Sequence, residues 1–192
     1  MSIGTVSNVT AGKPNASGAV HYGATSLTAP TTANGSLASG FKNVGYISED
    51  GVANENSRTS KSIKGWGGDT VLTTQTEKKD RFKLTLIEIL NTNVLEVAHG
   101  ASNVSGALST GITVNVNSKE LDYHIWVIDM VETGGVLHRI VIPYAKIVEI
   151  AEVTYKDDGA TGYPITLEAE PDSSGNTHYE YFKSASGTSG NS

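Results

Sequence analysis

The chain of 192 residues contains no cysteine, which excludes a disulfide framework, a Cys-ligated metal site and a thiol nucleophile. Its apolar runs are only a few residues long, so no segment is predicted to span a bilayer. The residues after Met1 form neither a basic nor an apolar block, so we expect no ordinary secretory signal and expect folding in the cytoplasm. The length fits one domain with arms, or at most a domain and a half.

The first 40 residues are almost free of charge. Lys13 is their only Lys, Arg, Asp or Glu, and 25 of the 40 are Gly, Ala, Ser or Thr. This composition predicts an N-terminal arm over 1–40. Short β-branched and aromatic runs fill 41–183 and predict the folded domain, whereas 184–192 is a polar segment expected to be a flexible tail.

Basic residues are also scarce in the second half of the chain. Residues 101–192 carry five basic and twelve acidic side chains, out of a total net charge of -6. Such a surface repels phosphate, so ordinary nucleic-acid binding through counterion release is not expected. The same repulsion would suit a channel through which DNA must pass without sticking.

Strands dominate the expected domain, because Thr, Val, Ile and Leu cluster in short runs between Gly, Asn and Asp. The predicted strands include 69–76, 80–89, 145–155, 162–170 and 177–183. The charged residues 77–79 predict a turn between the first two. The expected fold class is therefore mainly β, a β-sandwich or barrel.

One short helix is predicted beside the sheet. Asn91 is a suitable N-cap, apolar residues such as Val94 and Val97 supply a buried side, and Gly100 is placed to end the helix.

A β-hairpin is predicted around Gly134 and Gly135, because this pair tolerates the positive φ angles of a two-residue turn. That turn sets Thr133 opposite Val136 and places Ile125 on the same face as Ile142. Both faces are apolar, so each must be buried against other residues. We expect one face to pack against the same domain and the other against something else, such as a neighbouring subunit.

Several segments, in this order, resemble the major tail proteins of long-tailed, non-contractile bacteriophages. They are GYISEDGV at 45–52, IKGWGGDTV at 63–71, the segment from FKLTLIEIL to VAHG at 82–100, and RIVIPYAKIVEIAEVTY onward at 139–172. The lead-in at 18–44 is also similar. The resemblance covers roughly four fifths of the chain. It depends on the order of these segments more than on any single motif.

The resemblance implies a tail-tube fold, a β-sandwich with a flanking short helix and extended arms. Six copies would close a ring whose inner sheets join into a barrel, and stacked rings would form a tube for DNA ejection into the host. A loop at 48–64 and the arms would bridge subunits. The implied partners are the chain itself, a tape measure protein and tail terminator or distal tail proteins, in a virion tail assembled in the host cytoplasm.

Two residue sets follow as candidates for that assembly, and no catalytic, cofactor or metal site is expected. The expected subunit interface combines the 48–64 loop, a basic stripe and the second hairpin face: Glu49, Asp50, Arg58, Lys64, Trp66, Lys79, Arg81, Lys83, Trp126, Met130 and Arg139. The expected lumen-facing acids lie in or beside predicted strands: Glu132, Glu149, Glu152, Glu168 and Glu170. We expect the basic stripe to meet acids of a neighbouring subunit.

Other chemical interpretations are weaker. The predicted register keeps His138 opposite Val131 and away from His124, so a metal site is not favoured. Glu168 and Glu170 lack a pocket for acid–base work. The glycine-rich stretch 65–69 lacks the Gly-Lys-Ser/Thr ending of a phosphate loop. It is expected to enter a strand tightly, with Trp66 anchoring the preceding loop.

The alternative function is a monomeric β-sandwich that binds carbohydrate or acts as an adhesin, with Gly/Ser-rich ends as linkers. Exposed aromatic side chains that form a flat binding surface would support this alternative.

Overall fold

A computed structural model describes residues 8–15 and 18–184. Within them the chain is mainly antiparallel β with one α-helix, which confirms the expected fold class. The strands are β1 (Lys13–Pro14), β2 (Val20–Ala24), β3 (Lys42–Asn43), β4 (Ala53–Lys64), β5 (Thr70–Leu86), β6 (Val104–Ala107), β7 (Gly111–Val114), β8 (His124–Glu132), β9 (Val136–Ile150), β10 (Tyr163–Ala169) and β11 (Tyr179–Ser184). Helix α1 is Thr92–His99, and a 3₁₀ turn follows at Ala101–Asn103. In the described part of the chain, no helix has the length and apolar character to cross a membrane.

Nine of these strands form one sheet in the order β3-β2-β8-β9-β10-β5-β4, with β1 also paired to β8 and β11 to β9. Strands β6 and β7 form a separate ribbon. The main core collects side chains from β2 and β5, which lie near opposite ends of that order, together with the middle strands. The sheet therefore curls over its own apolar face, as the two layers of a β-sandwich do.

Helix α1 closes one side of this core as the sequence predicts. The Asn91 side chain accepts a hydrogen bond from the Asn93 N–H at 3.0 Å, and Gly100 ends the helix with φ 89°. Val94 and Val97 pack into the main core. The Tyr22 hydroxyl donates to the Asn93 carbonyl at 3.0 Å and ties the helix to β2.

The β8–β9 hairpin forms, but its predicted register is wrong by one residue at the turn. Glu132, and not Thr133, lies opposite Val136, so the turn has three residues and His138 faces Met130. The reason is that Thr133 bonds to the N-terminal segment, with its N–H 3.2 Å from the Ala11 carbonyl oxygen. A bulge at Ile125 then restores the predicted pairing of His124 with Ala145.

Both faces of this hairpin are buried, and both covers come from the same chain. Trp126 and Ile142 face the main core. Ile125, Val127 and Val141 form a second cluster under residues Leu27, Ala29, Leu37, Phe41 and Tyr181. The expectation that Ile125 shares a face with Ile142, and that a neighbouring subunit supplies one cover, is therefore wrong.

The expected arm over 1–40 is in large part folded. Strand β2 belongs to the main sheet, between β3 and β8, with Val20 and Tyr22 buried. Residues 25–41 roof the second cluster, as described above. The sequence does not predict this packing, because the segment is rich in small residues. Such residues are buried by close approach to the sheet and show no apolar periodicity. Residues 1–7 of the expected arm and 185–192 of the expected flexible tail lie outside the described residues, whereas Ser184, the first residue of that tail, belongs to β11.

Three predicted breaks in the chain are absent from the described structure. The turn expected at 77–79 is wrong, because β5 runs from Thr70 to Leu86 without interruption. The loop expected at 48–64 is also wrong over most of its length, because Ala53–Lys64 is strand β4, paired along its whole length with β5. Strand β9 likewise continues from the hairpin through residue 150. Polar and charged residues lie in exposed strands here, where burial does not select for apolar alternation.

A buried ion pair fixes the roof segment to β8 and β9. The Arg139 guanidinium donates to both Asp129 carboxylate oxygens, at 2.6 and 3.1 Å, and its Nη1 also donates to the carbonyls of Thr32 and Gly35 at 3.0 and 2.7 Å. Asp129 and Arg139 are both nearly inaccessible to solvent. The charges of Asp129 and Arg139 therefore neutralise each other within one chain.

We expect Asp129→Ala to lower the free energy of unfolding by about 3–5 kcal/mol, since Arg139 would remain buried without its counter-charge. Chemical denaturation measures this loss, and hydrogen exchange should show that residues 25–41 loosen first. The double variant Asp129→Leu with Arg139→Met should recover much of the loss. Equal stability of Asp129→Ala and the parent chain would contradict a structural role for the pair.

Candidate assembly surface

The most exposed part of the fold is the outer half of the β4–β5 hairpin, residues 57–79, named here the projecting hairpin. Strand β5 pairs with β10 only from Arg81 to Leu86. Beyond that point, β4 and β5 pair with each other alone among the described strands. Every strand residue of β4 and all of β5 up to Lys78 are exposed. Isolated two-stranded ribbons are marginal in water, so this one is suited to contact another surface.

A five-residue turn closes the projecting hairpin. The Gly65 N–H donates to the Asp69 carbonyl at 2.8 Å, and the Gly68 N–H donates to the Gly65 carbonyl at 3.1 Å. Gly67 and Gly68 have φ angles of 109° and 97°, which side chains with a Cβ rarely adopt. Residues 65–69 are thus a hairpin turn and not the entry to a strand from a loop.

Apolar side chains are concentrated at this tip. Trp66 has a relative exposure of 106%. The expectation that it anchors the preceding segment is therefore wrong. Ile63 and Leu72 lie opposite each other across the two strands, and both are about half exposed. Val71 is exposed as well. An exposed apolar group of this kind, held away from the core, is typical of a protein–protein contact.

The charge of the projecting hairpin is opposite to that of the remainder of the chain. Residues 57–79 carry five basic and two acidic side chains, a net charge of +3. Because the whole chain has a net charge of -6, the rest carries -9. Two copies would attract each other when the hairpin of one meets the body of the next.

The basic stripe Lys79, Arg81 and Lys83 faces solvent, and Phe82, Leu84 and Leu86 face the core on the other side of β5, as predicted. Its acidic partners, however, are in the same chain. Arg81 Nη2 lies 2.7 Å from Glu168 Oε2, and the carboxylates of Glu77 and Glu55 lie 2.9 and 3.0 Å from Lys79 and Lys83.

The pKa shifts agree with these pairings. A hydrogen bond to the Lys83 ammonium lowers the pKa of Glu55, and the Glu168 carboxylate raises the pKa of Arg81. Within one chain the stripe therefore already has acidic partners, and its expected pairing with a neighbouring subunit stays a prediction.

The other expected interface residues divide by exposure. Glu49, Asp50, Arg58 and Lys64 are exposed, and the last two lie on the projecting hairpin. Met130 is half-buried against the main core. Trp126 and Arg139 are buried within the chain, so their expected place at a subunit interface is wrong.

The expected lumenal acids also divide. Glu149, Glu152 and Glu170 are exposed, and Glu170 accepts a hydrogen bond from the Tyr123 hydroxyl. Glu168 is neutralised by Arg81. Glu132 is nearly buried and accepts from Thr10 Oγ1 at 2.8 Å, so it does not face a lumen.

No group of three or more metal-ligating side chains with suitable geometry occurs among the described residues. His124 lies in a partly buried position whose desolvation lowers its pKa, and its ring packs edge-on against Tyr22 at 5.1 Å between centroids.

Sequence reasoning missed two parts of this surface. The apolar set Ile63, Val71 and Leu72 is visible in the sequence around the Gly-Trp-Gly-Gly turn, but the expectation of a loop on one side concealed that two strands present it together. The buried carboxylate Asp80, at the base of the projecting hairpin, gives no periodic signal because it follows charged residues.

A comparison with protein families agrees with this geometry. The family model described as "Phage tail tube protein" matches residues 8–186, which include every strand named above. No curated protein matches the chain at a significant level.

Proposed function

The chain belongs to the phage tail tube protein family and is a structural component of a virion tail. From this premise we propose that six copies close a ring, that rings stack into a hollow tube, and that the genome passes through this tube into the host. The observation that carries the proposal is the projecting hairpin. It is long, exposed and tipped with apolar side chains that nothing in the described chain covers.

The projecting hairpin supplies the contact between successive rings in this proposal. Burial of Trp66 with its apolar neighbours would give that contact its affinity, because large aromatic side chains dominate interface energies. The net charge of +3 on the hairpin against -9 on the rest of the chain would orient one ring on the next. Arg58 and Lys64 are two of the five cations on the hairpin, and Glu49 and Asp50 are exposed acids on the body of the chain.

The wall of the tube requires a surface that does not bind phosphate. The exposed acids Glu149 and Glu152 lie at the end of β9 and just beyond it, whereas Glu170 follows β10 and lies beside Tyr144, farther back along β9. We place the exposed face of these two adjacent strands toward the lumen. DNA then meets carboxylates within about a Debye length, roughly 8–10 Å, and slides without adhering.

Reversal of two of these charges tests the assignment. We expect the double variant Glu149→Lys, Glu152→Lys to form tubes of normal stability, because exposed carboxylates contribute at most about 1 kcal/mol each. Particles that carry it should eject DNA more slowly, since cations on the wall hold phosphates. The matched control is Asp157→Lys with Asp158→Lys, in the exposed bend after β9. Normal ejection in the first variant would contradict a lumenal position.

The remaining partners follow from the same proposal. A tape measure protein would occupy the lumen before ejection, and tail terminator and distal tail proteins would cap the two ends of the stack. Assembly would take place in the host cytoplasm from subunits that fold first. The subunit's complete internal core supports this order, because both faces of the β8–β9 hairpin are covered without a second copy.

Negative-stain electron microscopy of the concentrated, purified protein tests the proposal against the carbohydrate-binding or adhesin alternative. Tubes or six-fold rings are expected. A monomer at every concentration that binds an immobilised glycan through Trp66 would favour the alternative.

A further inference from the structure

Carboxylates and imidazoles alternate in one line across four strands, at the side of the sheet where β11 lies on β9. His178 Nδ1 lies 2.5 Å from Asp80 Oδ2, and its Nε2 lies 3.5 Å from Glu180 Oε1. The other Glu180 oxygen lies 3.1 Å from His138 Nε2, and His138 Nδ1 lies 2.8 Å from Glu132 Oε1. We name these five residues the carboxylate–imidazole chain.

Each imidazole in this chain has a carboxylate at both ring nitrogens. A neutral imidazole carries one N–H donor, whereas an ionised carboxylate can only accept. Both contacts of His178 are satisfied together only when the ring is an imidazolium. A neutral His178 ring still donates to one of its two carboxylates, so the loss of its second proton leaves the other carboxylate without that donor in a partly buried site.

One end of the chain lies where the projecting hairpin leaves the sheet. Asp80 is buried and directly precedes Arg81, the first residue of β5 that pairs with β10. Its carboxylate accepts from Asn54 Nδ2 of β4 at 2.8 Å and from Thr177 Oγ1 at 2.5 Å. Asp80 therefore ties both hairpin strands to the segment that leads into β11.

The other end reaches the N-terminal segment. Glu132 accepts from Thr10 Oγ1 at 2.8 Å while it holds His138. The His138 ring also stacks on Phe182 of β11, with centroids 4.0 Å apart. The same line of contacts thus joins the first described residues, β11 and the base of the hairpin.

We propose that the carboxylate–imidazole chain is a proton-dependent latch, which holds β11 against the base of the projecting hairpin while the His178 imidazole is charged and releases it when that ring loses its proton. The latch itself is a property of the single subunit. Its consequence, that the direction of the hairpin and hence the ring-to-ring contact depends on pH, rests on the proposed function.

The charged groups that face the imidazoles agree with this assignment. Asp80 of β5 and Glu180 of β11 face His178, while Glu132 of β8 and Glu180 face His138. The nearest cation in this set of contacts, Lys78, donates to Thr177 Oγ1 at 3.3 Å, one residue along from the ring of His178. The facing groups are therefore predominantly acidic, and Asp80 and Glu180 favour the charged form of His178.

The pKa shifts fix the sign of the effect. The hydrogen bond to Asp80 raises the pKa of His178, so this contribution is complete below about pH 6.5 and is lost as pH rises through the raised value. Burial opposes ionisation of Asp80, but hydrogen bonds from His178, Thr177 and Asn54 bring its pKa to about 2. The carboxylate contribution is present above about pH 4 and is lost as pH falls toward that value.

The test uses the full chain, as unassembled subunit at low concentration, with ¹⁵N-labelled histidine. We expect the His178 ring to titrate with a midpoint above the ordinary 6.5. Amide protection of residues 179–184 and 53–56, corrected for intrinsic exchange rates, should fall about tenfold as pH rises through that midpoint. Glu180→Gln, at a half-exposed position that tolerates the change, should lower the midpoint by about half a unit or more. The control Glu120→Gln removes an exposed partner of Lys146 elsewhere and should change neither quantity.

Three outcomes would overturn the latch: a His178 midpoint at or below 6.5, a midpoint unchanged in Glu180→Gln, or an equal pH-dependent loss of protection in His178→Gln. None of them bears on whether subunits form tubes, because each is measured before assembly. Conversely, a latch that titrates as expected in a chain that never forms tubes would leave the latch intact and contradict the proposed function.

Discussion

Replacement of Trp126 by alanine is expected to lower the free energy of unfolding by about 3–5 kcal/mol, the usual cost of deleting a large core aromatic. Trp126 has no exposed surface, lies opposite Tyr22 and Ile142 on its two neighbouring strands, and contacts the Tyr22 ring at 5.7 Å between centroids. A loss of this size is a large share of the 5–15 kcal/mol that stabilises an ordinary domain. Chemical denaturation followed by circular dichroism measures it.

The second tryptophan provides the matched control. Trp66→Ala deletes the same side chain from a fully exposed turn, so the unfolding free energy should change by no more than about 0.5 kcal/mol. Equal destabilisation by the two substitutions would contradict the burial of Trp126, and Trp126 would then return to the subunit interface where the sequence alone placed it.

Assembly should show the reverse order of effects. We expect Trp66→Ala to raise the protein concentration needed for tube formation roughly thirty-fold or more, because a buried interface tryptophan commonly contributes about 2 kcal/mol or more. Sedimentation of polymer against subunit concentration measures the threshold. The expectation rests on the apolar tip of the projecting hairpin, where Trp66, Ile63 and Leu72 would be buried by the next ring.

Tyr155→Ala is the control for this assembly measurement. Tyr155 is another exposed aromatic residue, in the segment that follows β9 and outside the projecting hairpin. Its removal should leave the threshold within about a factor of two to three of the parent chain. A threshold that does not respond to Trp66→Ala would show that the hairpin tip stays in solvent within the tube.

Local chemistry made parts of the fold predictable from the sequence. The helix follows directly from a capping Asn91 and a terminating Gly100, since both act on the backbone within one turn. Strands β10 and β11 lie close to the predicted 162–170 and 177–183, because turn-forming residues bound them on the sides that face each other.

Where the sequence misled, a longer-range contact overrides a local signal. The charged run 77–79 has turn-like composition, yet partners on β4 keep it extended. Thr133 would fit beside Val136 in a two-residue turn, but its hydrogen bonds to residues 10–11 move the register by one. Residues 20–24 lack a strand pattern of their own and become a buried strand because they pair with β8.

The sequence predicts several residues of the candidate assembly surface correctly, but it does not predict the structure of the segment that carries them. Arg58, Lys64 and Trp66 are exposed on the projecting hairpin, although the segment was expected to be a loop. Glu132 and Arg139 were misassigned because a charged side chain in a strand gives no sign of a buried partner. Only the fold reveals that each side chain has its hydrogen-bond partner inside the chain.

A reconstruction of the assembled protein by electron cryomicroscopy tests the central claim most directly. We predict a hollow tube of stacked six-membered rings, with the projecting hairpin of each subunit crossing to the adjacent ring and Trp66 buried there. The exposed acids Glu149, Glu152 and Glu170 should line the channel. A tube in which the hairpin points into solvent and a net basic surface lines the lumen, or a protein that stays monomeric at all concentrations, would contradict the account.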